Sequence, residues 1–229
     1  MIEAHHFVEA ARAHGFDWYA GVPCSYLTPF INYVLQDKSL RYLSMANEGD
    51  AVALIAGVTL GAGRGIAMMQ NSGLGNAVSP LTSLTWPFHL PQLLIVTWRG
   101  QPGVADEPQH ALMGALTPKL LELMEIPWEL FPAAPADIAP ALERAVRHMD
   151  ATGRPYALVM PKGVVAPFAL AADESGPTLP RLVAADEDAA LQPGSARASR
   201  RDVLRAVQAH SGLPGTVVLA STGFCGREL

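Results

Sequence analysis

Three short segments are apolar almost throughout: "GIAMMQ" (65–70), "PQLLIVTW" (91–98) and "PYALVMP" (155–161), with helix-like stretches between them. They constrain the fold more than any other feature. A strand that is apolar at consecutive positions buries both faces, and a sheet covered twice is the parallel sheet of an α/β protein. Three further segments read as strands: "DWYAGV" (17–22), "RYLSM" (41–45) and the weaker "WELF" (128–131). Helical period occupies 2–14, ending at Gly15, then "SYLTPFINYVLQ" (25–36), "EGDAVALIAGVTLGAG" (48–63), "SPLTSLTW" (79–86), "PKLLELMEI" (118–126) and "PADIAPALERAVRHMDATG" (135–153). The alternation predicts a doubly wound, mainly parallel six-stranded α/β sheet with helices on both faces, complete by about residue 168.

Beyond that point the texture changes. Residues 169–199 are rich in Ala, Pro and small acidic blocks with no sustained period, and read as a linker. After it, "SRRDVLRAVQAHSG" reads as a capped amphipathic helix, "TVVLAS" as a strand and "TGFCGREL" as a turn opening another helix. One helix and one strand cannot bury their apolar faces. Residues 200–229 are therefore expected to be the start of a second, incomplete α/β domain, with the 229-residue chain the front part of something longer.

Charge narrows the range of partners. A net charge of -5 with no Lys/Arg cluster gives no footprint for nucleic acid or an anionic membrane. Cys24 and Cys225 lie far apart with neither metal-ligand nor C-x-x-C spacing, so no metal site and no disulfide framework are expected. "MIEAHHFVEAARAHG" lacks the basic start and apolar core of a signal peptide, and no stretch reaches ~18 apolar residues, which predicts a cytoplasmic chain.

Ligands of doubly wound sheets bind at the carboxyl ends of the strands. Four segments follow strands onto that rim: "GVPCS", "NEGD", "NSGLGNAVSP" and "RGQPGVADEPQHALMG". They bring a carboxylate, Glu48, a Gly-rich turn and a long loop carrying Arg99, Gln109 and His110. Glu48 has two readings. Asn47 is a favoured N-cap and acids are stabilised in a first helical turn, so the "NEGD" motif has a purely local explanation; the convergence of the other segments supports a small-molecule site instead. A Gly at 73 permits close backbone approach, and Asn71 and Asn76 are plausible contacts.

In that order, "GVPCSYLTPFIN", "NEGDAVALIAG", "QNSGLGNAVSPLTSL", "TWRGQPGVADEPQHALMG" and "STGFCGREL" resemble the phosphonopyruvate decarboxylases, a thiamine diphosphate-dependent family, and the sulfopyruvate decarboxylases less closely. The resemblance covers 1–168 and resumes near Arg200. It implies a pyrimidine-binding domain followed by the beginning of a diphosphate-binding domain. The G-D-G motif that holds Mg2+ and the diphosphate does not occur here, so those ligands are expected from further chain or from a partner.

Under the resemblance Glu48 is the catalytic glutamate that bonds the pyrimidine ring nitrogen, with Gly73 and Asn76 beside the cofactor. Ser25, Asn71 and Gln109 become substrate contacts and His110 a second catalytic residue. Two departures stand out: Ser25 and Gln109 replace an Asp and a His of related 2-oxo acid decarboxylases, which leaves the proton donor open. Arg99 and Lys162 each follow a strand and can pair with a phosphonate, but solvated surface charge is the commoner explanation and neither is counted among the catalytic candidates. The implied reaction is decarboxylation of phosphonopyruvate to phosphonoacetaldehyde in phosphonate biosynthesis, at a site between subunits of a homo-oligomer, dimer or tetramer. A sulfopyruvate-type subunit paired with a complementary chain, and a noncatalytic binding or assembly module, are the competing expectations.

Overall fold

A computed structural model describes residues 1–171 and 198–218. The chain divides into two compact units, Met1–Glu174 and Ser175–Leu229. The first contains helix α1 (Ala4–Ala13), strand β1 (Phe16–Gly21), α2 (Thr28–Gln36), β2 (Arg41–Ser44), α3 (Glu48–Leu60) and β3 (Arg64–Gln70). It continues through α4 (Leu74–Pro80), α5 (Trp86–Phe88), β4 (Leu93–Thr97), α6 (Ala111–Leu123), β5 (Trp128–Leu130), α7 (Pro135–Thr152) and β6 (Tyr156–Met160).

The six strands form one sheet in the order β2-β1-β3-β4-β6-β5, with every pairing parallel. Alternation along each central strand feeds two separate cores, because successive side chains point to opposite faces. Ile66, Met68, Leu93, Ile95, Leu158 and Met160 join Phe7, Phe30, Ile138 and Leu142, so α1, α2 and α7 cover one face. Their neighbours Ala67, Met69, Leu94, Val96, Ala157 and Val159 join Val52, Ile55, Leu74 and Leu121, so α3, α4 and α6 cover the other. The continuous apolar runs thus serve two layers of helix. The edge strands β2 and β5 are partly exposed along their length.

In the first unit two elements differ from the sequence expectation, each containing a proline. Helix α6 begins at Ala111, seven residues before the expected start, and carries Pro118 inside it. Pro118 has no N–H for the carbonyl four residues back, Gly114, and the Trp98 indole N–H donates to that carbonyl instead, at 2.8 Å. "NSGLGN", read as a turn ahead of the helix expected at 79–86, is helical almost at once: a 3-10 turn at Asn71–Gly73 leads into α4, which holds Pro80, followed by a wide π-type turn at Leu81–Thr85. Gly49 on α3 has no side chain to obstruct the Asn76 carbonyl that Pro80 leaves without its usual donor; a Cβ there would sit 2.8 Å from it. The two helices pack closely at that point.

In the second unit, α8 (Arg200–Ser211) is capped by Ser199, whose hydroxyl accepts from the Asp202 amide while Asp202 accepts from the Ser199 amide. Residues 216–218, where the "TVVLAS" strand was expected to begin, have no regular structure. The rest of that strand, "TGFCGREL" and nearly all of the expected linker lie outside the described residues.

Candidate active site

The chain leaves β1 for the edge strand β2 and then crosses back over β1 to β3. Loops departing in opposite directions open a crevice at the carboxyl ends of such strands. Glu48 is the first residue of α3, directly after β2; the loop after β1 holds Ser25; Gly73 and Asn76 follow β3.

Asn47 caps α3, its side-chain oxygen accepting from the Gly49 amide at 2.8 Å. The capping work therefore falls to Asn47. That frees the half-buried Glu48 side chain to reach across to α4, where its Oε2 accepts from the Asn76 side-chain amide at 2.8 Å. Between them lies Gly73. A Cβ on residue 73 would overlap Cγ, Cδ and Oε1 of Glu48, so the space of a missing methyl is what seats the carboxylate. Gly73 was expected to leave room for a ligand; it leaves room for the acid. Glu48 Oε1 has no hydrogen-bond partner among the described residues. One oxygen is held and the other is presented, an arrangement suited to a heterocyclic ring nitrogen that shares a proton.

Asn71, expected to touch substrate, is fully buried. Its amide donates to the Arg99 carbonyl at 2.8 Å and to Thr117 Oγ1 at 2.9 Å, and its oxygen accepts from the Arg99 amide at 3.2 Å. It ties the ends of β3 and β4 to α6 beneath the rim.

The loop after β4 is organised by a residue that the sequence reading passed over, Asp106. Its carboxylate accepts from Arg99 Nε at 2.9 Å and Nη2 at 2.7 Å, from the Gly100 amide at 2.8 Å and from the Glu107 amide at 2.9 Å. The Arg99 guanidinium, followed by the Gly100 amide, holds this carboxyl far below the usual carboxylate range. The same pairing raises Arg99. With side-chain exposures of 13% and 7%, Arg99 and Asp106 form a bidentate internal pair, and the guanidinium also lies 5.0 Å from the Tyr26 ring centroid. Arg99 is thereby committed within the protein.

Gly100 and Gly114 lock the far side of the loop. A Cβ on Gly100 would strike the His110 carbonyl, and one on Gly114 would strike the Gly100 carbonyl. His110, with its side chain only 11% exposed, places Nε2 3.4 Å from Glu107 Oε2. Gln109 is exposed and donates to the same Glu107 oxygen at 2.8 Å.

Ser25 is exposed and lines two adjoining cavities of about 360 and 470 Å3, both of which it shares with Tyr26. Lys162 and Arg99 border the larger one. Under the loop, Cys24 Sγ donates to Gln70 Oε1 at 3.4 Å and Gln70 donates to Ser72 Oγ at 2.6 Å. Of the sequence candidates, Glu48, Gly73 and Asn76 form one contact group and Gln109 and His110 another through Glu107. Asp106 and Tyr26 were missed; the bidentate partner of an arginine seven residues away in a loop carries no periodic signal.

No family model matches the chain. It is 41% identical over its whole length to "Phosphonopyruvate decarboxylase" of Streptomyces viridochromogenes, of which it spans 57%. It is 30% identical over 151 residues to "Sulfopyruvate decarboxylase subunit alpha" of Methanocaldococcus jannaschii, covering 66% of this chain and 88% of that one. Among solved structures, the thiamine diphosphate-dependent 4-hydroxybenzoylformate decarboxylase of Rhodococcus jostii RHA1 superposes with a TM-score of 0.53 at 19% identity. That match covers 73% of this chain and 32% of that one, and shows the shared fold. The chain spans about half the length of the phosphonopyruvate decarboxylases it matches and most of a sulfopyruvate decarboxylase alpha subunit; it belongs to the phosphonopyruvate and sulfopyruvate decarboxylase family.

Proposed function

We propose that residues 1–168 supply the pyrimidine-binding half of a thiamine diphosphate-dependent phosphonopyruvate decarboxylase that makes phosphonoacetaldehyde and carbon dioxide for phosphonate natural-product biosynthesis. In this reading 169–199 is a linker and 200–229 begins the diphosphate-binding domain. Mg2+ and the diphosphate are held by residues outside this chain's own rim, on further sequence or on the facing subunit of a dimer or tetramer in the cytoplasm. Among the described residues, no helix is long and apolar enough to cross a membrane.

The observation that carries the reading is the seat of Glu48: Oε2 fixed by Asn76 at 2.8 Å, Gly73 giving the room, Oε1 presented. When bound, the cofactor supplies the nucleophile and the electron sink that loss of carbon dioxide from a 2-oxo acid requires. Glu48 would hold a proton at Oε1 where the pyrimidine end of the cofactor would bind, and Asn76 keeps the carboxyl from swinging into solvent. His110 is placed to hold or deliver a proton at Nε2, and Gln109 and Ser25 to hydrogen-bond substrate oxygens. Asn71 acts from below, by fixing the backbone of Arg99.

The test is carbon dioxide release from phosphonopyruvate and from sulfopyruvate, with thiamine diphosphate and Mg2+. It is run on the chain joined to the diphosphate-binding half, as wild type and as Glu48→Gln. Turnover of phosphonopyruvate that falls by two or more orders of magnitude in Glu48→Gln supports the assignment. Preference for sulfopyruvate favours the alpha-subunit reading, for which the 88% coverage speaks. Absence of turnover on both substrates leaves a binding module.

A further inference from the structure

Two side-chain cations stand on the rim near the loop after β1, and the structure separates their roles. Arg99 is neutralised by Asp106 through two charge-assisted bonds and reaches Glu107 at 3.3 Å. Glu107 is further engaged by Gln109 and approached by His110. Lys162 has no hydrogen-bond or ion-pair partner among the described residues, and it borders the 470 Å3 cavity together with Ser25 and Tyr26. Among the described residues the hydroxyls of Ser25 and Tyr26 have no hydrogen-bond partner either. Lys162, Ser25 and Tyr26 thus border one space, whose lining also includes Asp106, paired with Arg99, and Glu107, engaged by Arg99 and Gln109.

Lys162 is also well placed to be held there. It lies in the turn after β6, between Pro161 and Gly163, and the segment that follows is fastened to the body of the unit. The Ile2 amide donates to the Val164 carbonyl at 2.9 Å, the Ala166 amide to the Ile2 carbonyl at 2.8 Å, and Asn32 Nδ2 to the Phe168 carbonyl at 2.8 Å. The Phe168 ring packs against Tyr33 with centroids 5.4 Å apart. At the near end, the Trp98 amide donates to the Met160 carbonyl at 2.8 Å, joining the ends of β4 and β6. The lysine thus projects from a clamped turn.

We propose that Lys162, with the hydroxyls of Ser25 and Tyr26, forms the seat for the tetrahedral anionic tail of the substrate, and that Arg99 is a structural cation that does not bind it. Glu48 bonds Asn76 beyond the end of β3, and β6 lies two strands from β3, so with roughly 4.8 Å between neighbouring strands Lys162 stands about two strand spacings along the rim from the Glu48 contact. The substrate's 2-oxo acid end then faces the Glu48 side and its anionic tail the Lys162 side. A lysine acts here as a point charge on a flexible stem, so phosphonate and sulfonate are both accepted and an uncharged methyl is not favoured.

The identity of the reacting acid rests on the decarboxylase reading above; the existence of the anion seat does not. Two measurements keep them apart. Titration of the 229-residue chain with phosphonoacetate, followed by 31P line width or calorimetry, is expected to weaken at least tenfold in Lys162→Met and to return to within about threefold of wild type in Lys162→Arg. Thermal melts of the variants confirm that the exposed side chain was removed without unfolding. In steady-state turnover of the assembled enzyme, Lys162→Met is expected to raise KM for phosphonopyruvate about thirtyfold, with kcat changed less than threefold and KM for pyruvate unmoved. Phosphonoacetate binding lost in Lys162→Met while phosphonopyruvate is never turned over upholds the seat and removes the decarboxylase reading. Wild-type binding and wild-type KM in Lys162→Met overturn the seat and leave the decarboxylase reading standing.

Discussion

Replacing Gly73 by Ala separates the two jobs a glycine can do. The backbone at 73 has φ -80° and ψ -10°, an ordinary right-handed conformation that alanine adopts freely. Its added methyl would occupy the space of the Glu48 carboxylate, and that carboxylate, as the tip of a flexible side chain, is what gives way. Eviction breaks the 2.8 Å bond from Asn76. A half-exposed bond to a charged acceptor is worth about 1 kcal/mol, and the reduced backbone entropy of the unfolded chain returns 0.4 to ~1 kcal/mol. The two nearly cancel. At 2 to ~4 °C of melting temperature per kcal/mol for a domain of this size, Gly73→Ala should melt within about 4 °C of wild type.

Under the proposed function activity follows a different scale, because a displaced carboxyl would no longer meet the ring nitrogen; general acid–base contributions of 10² to ~10⁴ would be at stake. The assays are a thermal melt, the 15N–1H resonance of the Asn76 side-chain amide, and carbon dioxide release by the assembled enzyme. Gly57→Ala, mid-helix in α3 with nothing within 4 Å of its added methyl, serves as the stability control and should melt slightly higher than wild type. Wild-type turnover in Gly73→Ala, with the Asn76 amide resonance unmoved, would refute the argument that an absent methyl seats Glu48.

Asp106→Asn should loosen the loop that carries Gln109 and His110. Because the folded carboxyl titrates well below its unfolded value, its contribution is complete above about pH 4 and is lost as pH falls through the folded pKa. Melts from pH 7 to pH 3 should show a gap between wild type and variant that is constant at the top and narrows below about pH 4; a gap that widens on acidification contradicts the pairing. Asn71→Ala leaves the Arg99 amide and carbonyl without their buried partner. The expected cost is roughly 2–4 kcal/mol, read as a melting temperature lower by about 4–16 °C, whereas a substrate-contact role alone would leave the melt unchanged.

The layered fold could be read from the chain because its strands are apolar on both faces, a demand that few architectures meet. Boundaries failed where proline was taken at face value. Pro118 looked like a helix start, yet the Trp98 indole supplies the hydrogen bond that the proline ring cannot, and the helix runs through it. A donor twenty residues away in sequence leaves no local trace. Glu48 was visible because it stands at a strand-to-helix junction beside its own cap residue. What Gly73 does for it was not, since glycine signals spare room without saying which neighbour uses it. Arg99 and Lys162 were indistinguishable as letters; only the position of Asp106 tells the spent charge from the spare one.

The interlock of Gly114 with Gly100 has a practical corollary for anyone altering this protein. Residue 114 is buried inside α6, far from the view of a designer choosing surface positions to randomise, yet any side chain there would shoulder the Gly100 carbonyl aside and, through it, the main chain of His110. Libraries aimed at altered ligand preference should hold 100 and 114 constant and place their diversity at 25, 26 and 162, where altered bulk meets open space instead of the hinge pin of the loop.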